Sequence, residues 1–203
     1  MRERLRDREY TDRRPCFCDM EVIRDTLDFM IERPTAVCIG KFDGVHIGHR
    51  TLIEKVVACK AMGLIPTVFT FDPSPEKLFL GAHTEPLCTN IQKQELLESL
   101  GIELIIEFPL TYETAAMEPL DFIENILVGR LHMRYIAAGP DISFGKDGAG
   151  DKELICVMGE RFGYKAEIIE KVRLDGQEVS SSRIREALSK GDKTTARRML
   201  GRS

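Results

Sequence analysis

Short apolar runs and helical stretches alternate along most of this 203-residue chain, and that alternation leaves few folds open. Runs rich in Val, Ile, Leu and Phe fall at 35–39, 65–71, 104–108, 135–138 and 165–169 and read as strands. Helical patterns fill the gaps at 49–62, 90–100, 119–129 and 151–162, the third opening on Pro119, a residue suited to a first helical turn. Strands separated by helices of that length form β-α-β units with right-handed crossovers. The expected class is therefore α/β, a Rossmann-like parallel sheet with helices on both faces, whose ligands bind at the carboxyl ends of the strands.

If that rule holds, unusual residues should cluster just after strands. Gly40-Lys41-Phe42-Asp43-Gly44-Val45-His46-Ile47-Gly48-His49-Arg50 follows the first strand, and Phe71-Asp72-Pro73-Ser74-Pro75 follows the second. Gly139-Pro140-Asp141-Ile142-Ser143-Phe144-Gly145-Lys146 follows a later one. A helix N-terminus carries unpaired N–H groups and a partial positive charge, so the first of these loops suits an anion. Gly40, Gly44 and Gly48 allow tight turns and close backbone approach. His46 and His49, three residues apart, share a helical face and can donate to phosphate oxygens with a charge adjustable near neutral pH. Further on, Ser180-Ser181-Ser182 precedes another helix as an N-cap, and Arg183 and Arg185 add the fork-shaped donors that suit phosphate.

Lys and Arg number 29 against 33 Asp and Glu, a formal charge of −4, so a general nucleic-acid surface is disfavoured and an anionic ligand needs locally placed bases. Cys16, Cys18, Cys38, Cys59, Cys88 and Cys156 include no Cys-x-x-Cys pair, and buried reduced thiols are expected. With no apolar run of membrane-spanning length and no signal-peptide core, a cytoplasmic protein is expected. Residues 1–19 mix arginines with acids and read as a disordered tail, leaving 20–203 as the domain.

Four motifs in order carry a resemblance: Gly40-x-Phe42-Asp43-Gly44-Val45-His46-x-Gly48-His49, Thr70-Phe71-Asp72-Pro73, Gly139-x-Asp141-x-x-Phe144-Gly145, and Ser180-Ser181-Ser182-x-Ile184-Arg185. Together they resemble the FAD synthetase module of the bacterial bifunctional riboflavin kinase/FMN adenylyltransferase family, in the nucleotidylyltransferase superfamily with its HIGH-type fold. The resemblance implies transfer of AMP from ATP to FMN, giving FAD and pyrophosphate, with Mg2+ bridging phosphate oxygens. It implies His46, His49 and Arg185 as catalytic residues. Gly40, Lys41, Phe42, Asp43, Gly48, Gly139, Asp141, Ser180, Ser181, Ser182 and Arg183 would bind ATP, and Phe71, Asp72, Pro73 and Phe144 would face the flavin. No metal ligand, nucleic acid or membrane is implied.

Lys41 stands where the family usually has a small polar residue, Ser74 where it often has His, and Ile142-Ser143 where it has an aromatic-containing pair. The family's riboflavin kinase barrel would normally follow Arg202, so FMN is expected to come from a separate riboflavin kinase or domain. Two alternatives stand beside this reading: a catalytically weak flavin- or nucleotide-binding module, and a nucleotidylyltransferase of other acceptor specificity.

Overall fold

A computed structural model describes residues 20–81 and 85–202. The tail expected over 1–19, with Cys16 and Cys18, lies outside the described residues. The elements run β1 Glu21–Arg24, β2 Thr35–Ile39, α1 Ile47–Ala58, β3 Ile65–Asp72, α2 Pro75–Leu80, α3 Asn90–Ser99, β4 Leu104–Pro109 and α4 Tyr112–Ala115. They continue with α5 Pro119–Asp121, which passes into a π-helical turn at Phe122–Arg130, then β5 Met133–Ala138, α6 Lys152–Phe162, β6 Lys165–Ile168, a hairpin of β7 Arg173–Leu174 and β8 Gln177–Glu178, α7 Ser181–Ser189 and α8 Lys193–Leu200.

The six main strands form one sheet in the order β1-β4-β3-β2-β5-β6, every neighbouring pair parallel. Alternate residues along each strand go to opposite faces. Val37, Ile39, Phe69, Leu104, Ile106 and Ile136 pack with the π-helical turn and α6, while Ala36, Cys38, Val68, Ile105 and Ala137 pack with α1 and α3. Helices thus cover both faces, which is why the central strands read as continuous apolar runs.

The chain winds one way from β2 through β3 to β4, then crosses to the other side of β2 for β5 and β6. A crevice must open where neighbouring strands send their connections in different directions, here between β2 and β5. The glycine-rich loop leaves β2 there, and the Gly139 loop leaves β5 beside it. Among the described residues no helix is long and apolar enough to cross a membrane. The expectation of buried thiols holds for Cys38 and Cys59, but Cys88 is half-buried and Cys156 exposed. Cys156 sits on the outer face of α6, a position that helical periodicity alone does not distinguish from its core face.

Candidate active site

The loop after β2 is a tight structure. Phe42, Gly44 and Val45 all have positive φ, at 52°, 75° and 45°, and a β-branched residue such as Val45 reaches that region only at a cost of order 1–3 kcal/mol. Its surroundings enforce the path. A Cβ on Gly44 would lie 3.0 Å from Leu87 Cβ and 3.1 Å from Leu200 Cδ2, and the Gly44 carbonyl accepts from Arg202 at 3.3 Å. Arg50, in the first turn of α1, reaches the Leu200 carbonyl at 3.4 Å, so α8 is tied to the loop from both sides.

This path delivers two stacked histidines. His46 is the N-cap of α1; its Nδ1 accepts from the His49 backbone N–H at 3.3 Å, and the rings stack with centroids 3.6 Å apart. Because Nδ1 is an acceptor, neutral His46 carries its proton on Nε2. A Cβ on Gly48 would meet the His46 ring at 3.2 Å, so the glycine leaves room for that ring. Burial pushes His46 down to about 4, offset in part by nearby Asp43 and a backbone hydrogen bond. His49 is held well below the usual range by burial and by its neighbour His46. The charge adjustable near pH 7 that the sequence suggested is therefore corrected: both rings are neutral hydrogen-bonding groups there, with desolvation as the cause.

Phe42, expected among the nucleotide contacts, turns its side chain inward. Its ring is fully buried in the core and stands 5.0 Å from that of His49, where it backs the histidine. Asp43 has a structural part besides. One carboxylate oxygen accepts from Leu87 N at 2.8 Å and the other pairs with Arg185, whose Nε donates to the Glu85 carbonyl at 2.9 Å. The Asp43 carbonyl accepts from Ser181 Oγ at 3.1 Å. Three segments, the loop, the 85–90 stretch and α7, meet on this one carboxylate and its backbone.

Ser180 caps α7 by accepting from Arg183 N at 3.2 Å. Arg183 and Arg185, two apart on a helix, cannot face the same way. Arg185 lines the cleft with the histidines, whereas Arg183 turns back and donates to the carbonyls of Leu174, Gln177 and Glu178 at 3.0–3.4 Å. Arg183, expected from the sequence at the nucleotide, here secures the β7–β8 hairpin.

Three clefts meet at the carboxyl end of the sheet, and Phe71 lines all of them. The first, about 540 Å³, holds His46, His49, Lys41, Asp43 and Arg185 with Asp72, Ser181 and Ser182. The second, about 520 Å³, shares His46, His49 and Lys41 and adds Gly40, Gly48, Gly139, Asp141 and Ser180. There Asp141, mostly exposed, lies 2.9 Å from Lys171, which also stands 3.4 Å from Glu178. The third, about 490 Å³ and largely apolar, is walled by Phe71, Phe108, Phe122 and Phe144, with Phe79 and Tyr112 at its edge. Phe144 is buried, its ring 5.6 Å from that of Phe122. Pro73 lines none of the three clefts.

Sequence reasoning missed Lys171, Lys77 and Lys93, the last two in the histidine cleft, and Tyr112 beside the apolar one. Solitary lysines carry no pattern, whether on a helix as Lys77 and Lys93 are or between strands as Lys171 is, so only the fold could find them. No cluster of three His, Cys, Asp or Glu side chains able to hold a metal occurs among the described residues.

Residues 28–183 match the family described as FAD synthetase. The chain belongs to that family. It is 31% identical over 171 residues to the bifunctional riboflavin kinase/FMN adenylyltransferase of Haemophilus influenzae, covering 82% of this chain and 55% of that protein. With the FAD synthetase of Listeria monocytogenes it shares 28% identity over 171 residues, 83% of this chain and 69% of the relative. This FAD synthetase family member thus spans little more than half the length of the first bifunctional relative. The crystal structure of a macrolide-efflux protein from Streptococcus pneumoniae superposes with a TM-score of 0.76 at 23% identity, covering 89% of this chain and 61% of the other, which establishes likeness of fold.

Proposed function

We propose that residues 20–203 form an FMN adenylyltransferase that moves AMP from ATP to the phosphate of FMN, releasing pyrophosphate and forming FAD. The observation that carries this reading is the cleft itself. Neutral stacked histidines and Arg185 line one cleft, which shares Phe71 with an aromatic pocket of about 490 Å³. A flat tricyclic ring fits an aromatic pocket, from which its phosphate tail reaches toward the histidines.

In the reaction an oxygen of the FMN phosphate attacks the α-phosphorus of ATP. The bond from that phosphorus to the bridging oxygen breaks, and its electron pair leaves with pyrophosphate. The attacking oxygen is already anionic, so no general base is needed and no covalent enzyme intermediate forms. Catalysis then rests on alignment and neutralisation of charge. His46 and His49 donate to the α-phosphate, Arg185 approaches from α7, and Lys41, Ser181 and Ser182 add contacts from the loop and the helix N-terminus. Gly139 and Asp141 take the nucleoside. Phe71 and Phe144 hold the isoalloxazine, with Asp72 and Pro73 at the turn beside it. Magnesium enters as part of the nucleotide substrate, held by phosphate oxygens and water.

FMN must be supplied by a riboflavin kinase, an activity that we place outside residues 20–203; cytoplasmic action without nucleic acid or membrane fits this small-molecule chemistry. The test is incubation with FMN, ATP and Mg2+ and chromatography for FAD and pyrophosphate. Flavin binding without product would favour a binding module, and product with CTP but not ATP would overturn the nucleotide assignment.

A further inference from the structure

The histidine cleft holds more positive charge than the reading above uses. Among the described residues, Lys41, Lys77, Lys93 and Arg185 line it with Asp43 and Asp72, and Asp43 is already engaged by Arg185 and Leu87 N. Lys77 and Lys93 make no ion pair with another described residue. Gathering cations in one concave site raises their mutual repulsion, and in a chain of formal charge −4 it is not a by-product of general basicity. Such a compartment suits an anion of several charges.

Its location says which anion. His46, His49 and Lys41 line both this cleft and the neighbouring one that contains Gly139 and Asp141. The histidine pair therefore stands at the boundary between two compartments. On the proposed AMP transfer, the α-phosphorus lies at that boundary and the nucleoside beyond it, toward Asp141. The β- and γ-phosphates then extend the other way, into the compartment with the lysines.

We propose that Lys77 of α2 and Lys93 of α3 form the pocket that receives the leaving pyrophosphate. Lys93 is the firmer of the two. It is half-buried, and the first turn of α3 is fixed by reciprocal bonds between Thr89 and Gln92 at 3.2 and 3.0 Å. The segment leading into that turn is anchored to the histidine loop through Asp43 and Leu87. Lys77 rides on the six-residue α2 and is exposed. As the Pα–O bond breaks, negative charge grows on the bridging oxygen that departs with pyrophosphate, and these ammonium groups neutralise it.

The inference rests on the AMP-transfer reading but is tested apart from it, by calorimetric titration of the chain with pyrophosphate alone. Lys93→Ala is expected to weaken pyrophosphate binding about tenfold or more, as for loss of one charged hydrogen bond. Lys77→Ala is expected to cost roughly threefold, Lys93→Arg to restore most of the affinity, and Lys190→Ala, outside the cleft, to change nothing. In the reverse reaction from FAD, the KM for pyrophosphate should rise in Lys93→Ala while that for FAD holds. Failure of the parent chain to bind pyrophosphate at millimolar concentration overturns the proposal, as does a Lys93→Ala variant within twofold of the parent. If no FAD forms yet pyrophosphate binding depends on Lys93, the acceptor assignment falls and the lysine pocket stands.

Discussion

The histidine cleft and the aromatic cleft open at the same end of the sheet, yet they take their shape from different parts of the chain. The histidines and the arginine of the first come from two contiguous motifs: the loop at 40–50 and the start of α7, drawn together by Asp43, Arg185 and Ser181. The second is assembled from phenylalanines on β3, β4, the π-helical turn and the loop after β5. One is local hydrogen-bonded geometry and the other long-range packing. Mutations should therefore separate chemistry from stability, with each cleft failing in its own way.

The largest expected effect is on turnover. His49→Ala should lower kcat by on the order of 100-fold or more, as for loss of a preorganised transition-state donor, with the unfolding midpoint close to that of the parent. Unchanged turnover in a steady-state assay would remove His49 from the mechanism. On the aromatic side, Phe144→Ala deletes a buried ring and should cost about 3–5 kcal/mol by denaturant titration. The milder Phe144→Leu should raise the KM for FMN more than that for ATP, and an equal rise in both would break the distinction between clefts.

A pH titration sharpens the same contrast. Folding depresses both histidines, so the unfolded chain binds more protons between the folded value of His46, about 4, and the ordinary histidine value near 6.5. Stability should therefore be full above about 6.5 and fall as pH drops toward 4, by on the order of 2–3 kcal/mol for His46. A His46→Asn variant should lose part of that slope, whereas Phe144→Leu should keep it. The smallest effect belongs to Arg183→Ala, which loosens the β7–β8 hairpin and should cost under about 1 kcal/mol, with turnover within twofold. A loss of turnover on the order of the 100-fold expected for His49→Ala would return Arg183 to the site.

What was legible in the sequence follows the same division. Strand β2 appears at 35–39 as expected, and the helices at 49–62 and 90–100 lie within a few residues of α1 and α3, because buried parallel strands and amphipathic helices leave periodic traces. Strand β1 left none: it is four residues long, half-exposed and at the sheet edge. Helix α8 was missed because KTTARRML buries only Ala196, Met199 and Leu200, too short a stripe to read. The fold brings the motif residues His46, His49, Ser181, Ser182 and Arg185 to one cleft, and sequence could group them because each motif is contiguous. Spacing alone could not show that Arg183 turns away, that Phe42 is core, or that Lys93 arrives from another helix.

Phe71, half-buried at the end of β3, has the further consequence of being a common wall. Whatever occupies one compartment presses on a ring that also bounds the other two. Affinities measured for a flavin, a nucleotide or pyrophosphate separately are therefore not independent quantities, and any difference between the sum of two and the pair bound together is a coupling free energy that each ligand must return equally to the other. The affinity for one substrate, measured with and without the other, becomes for this molecule a measure of how stiffly one phenyl ring is held.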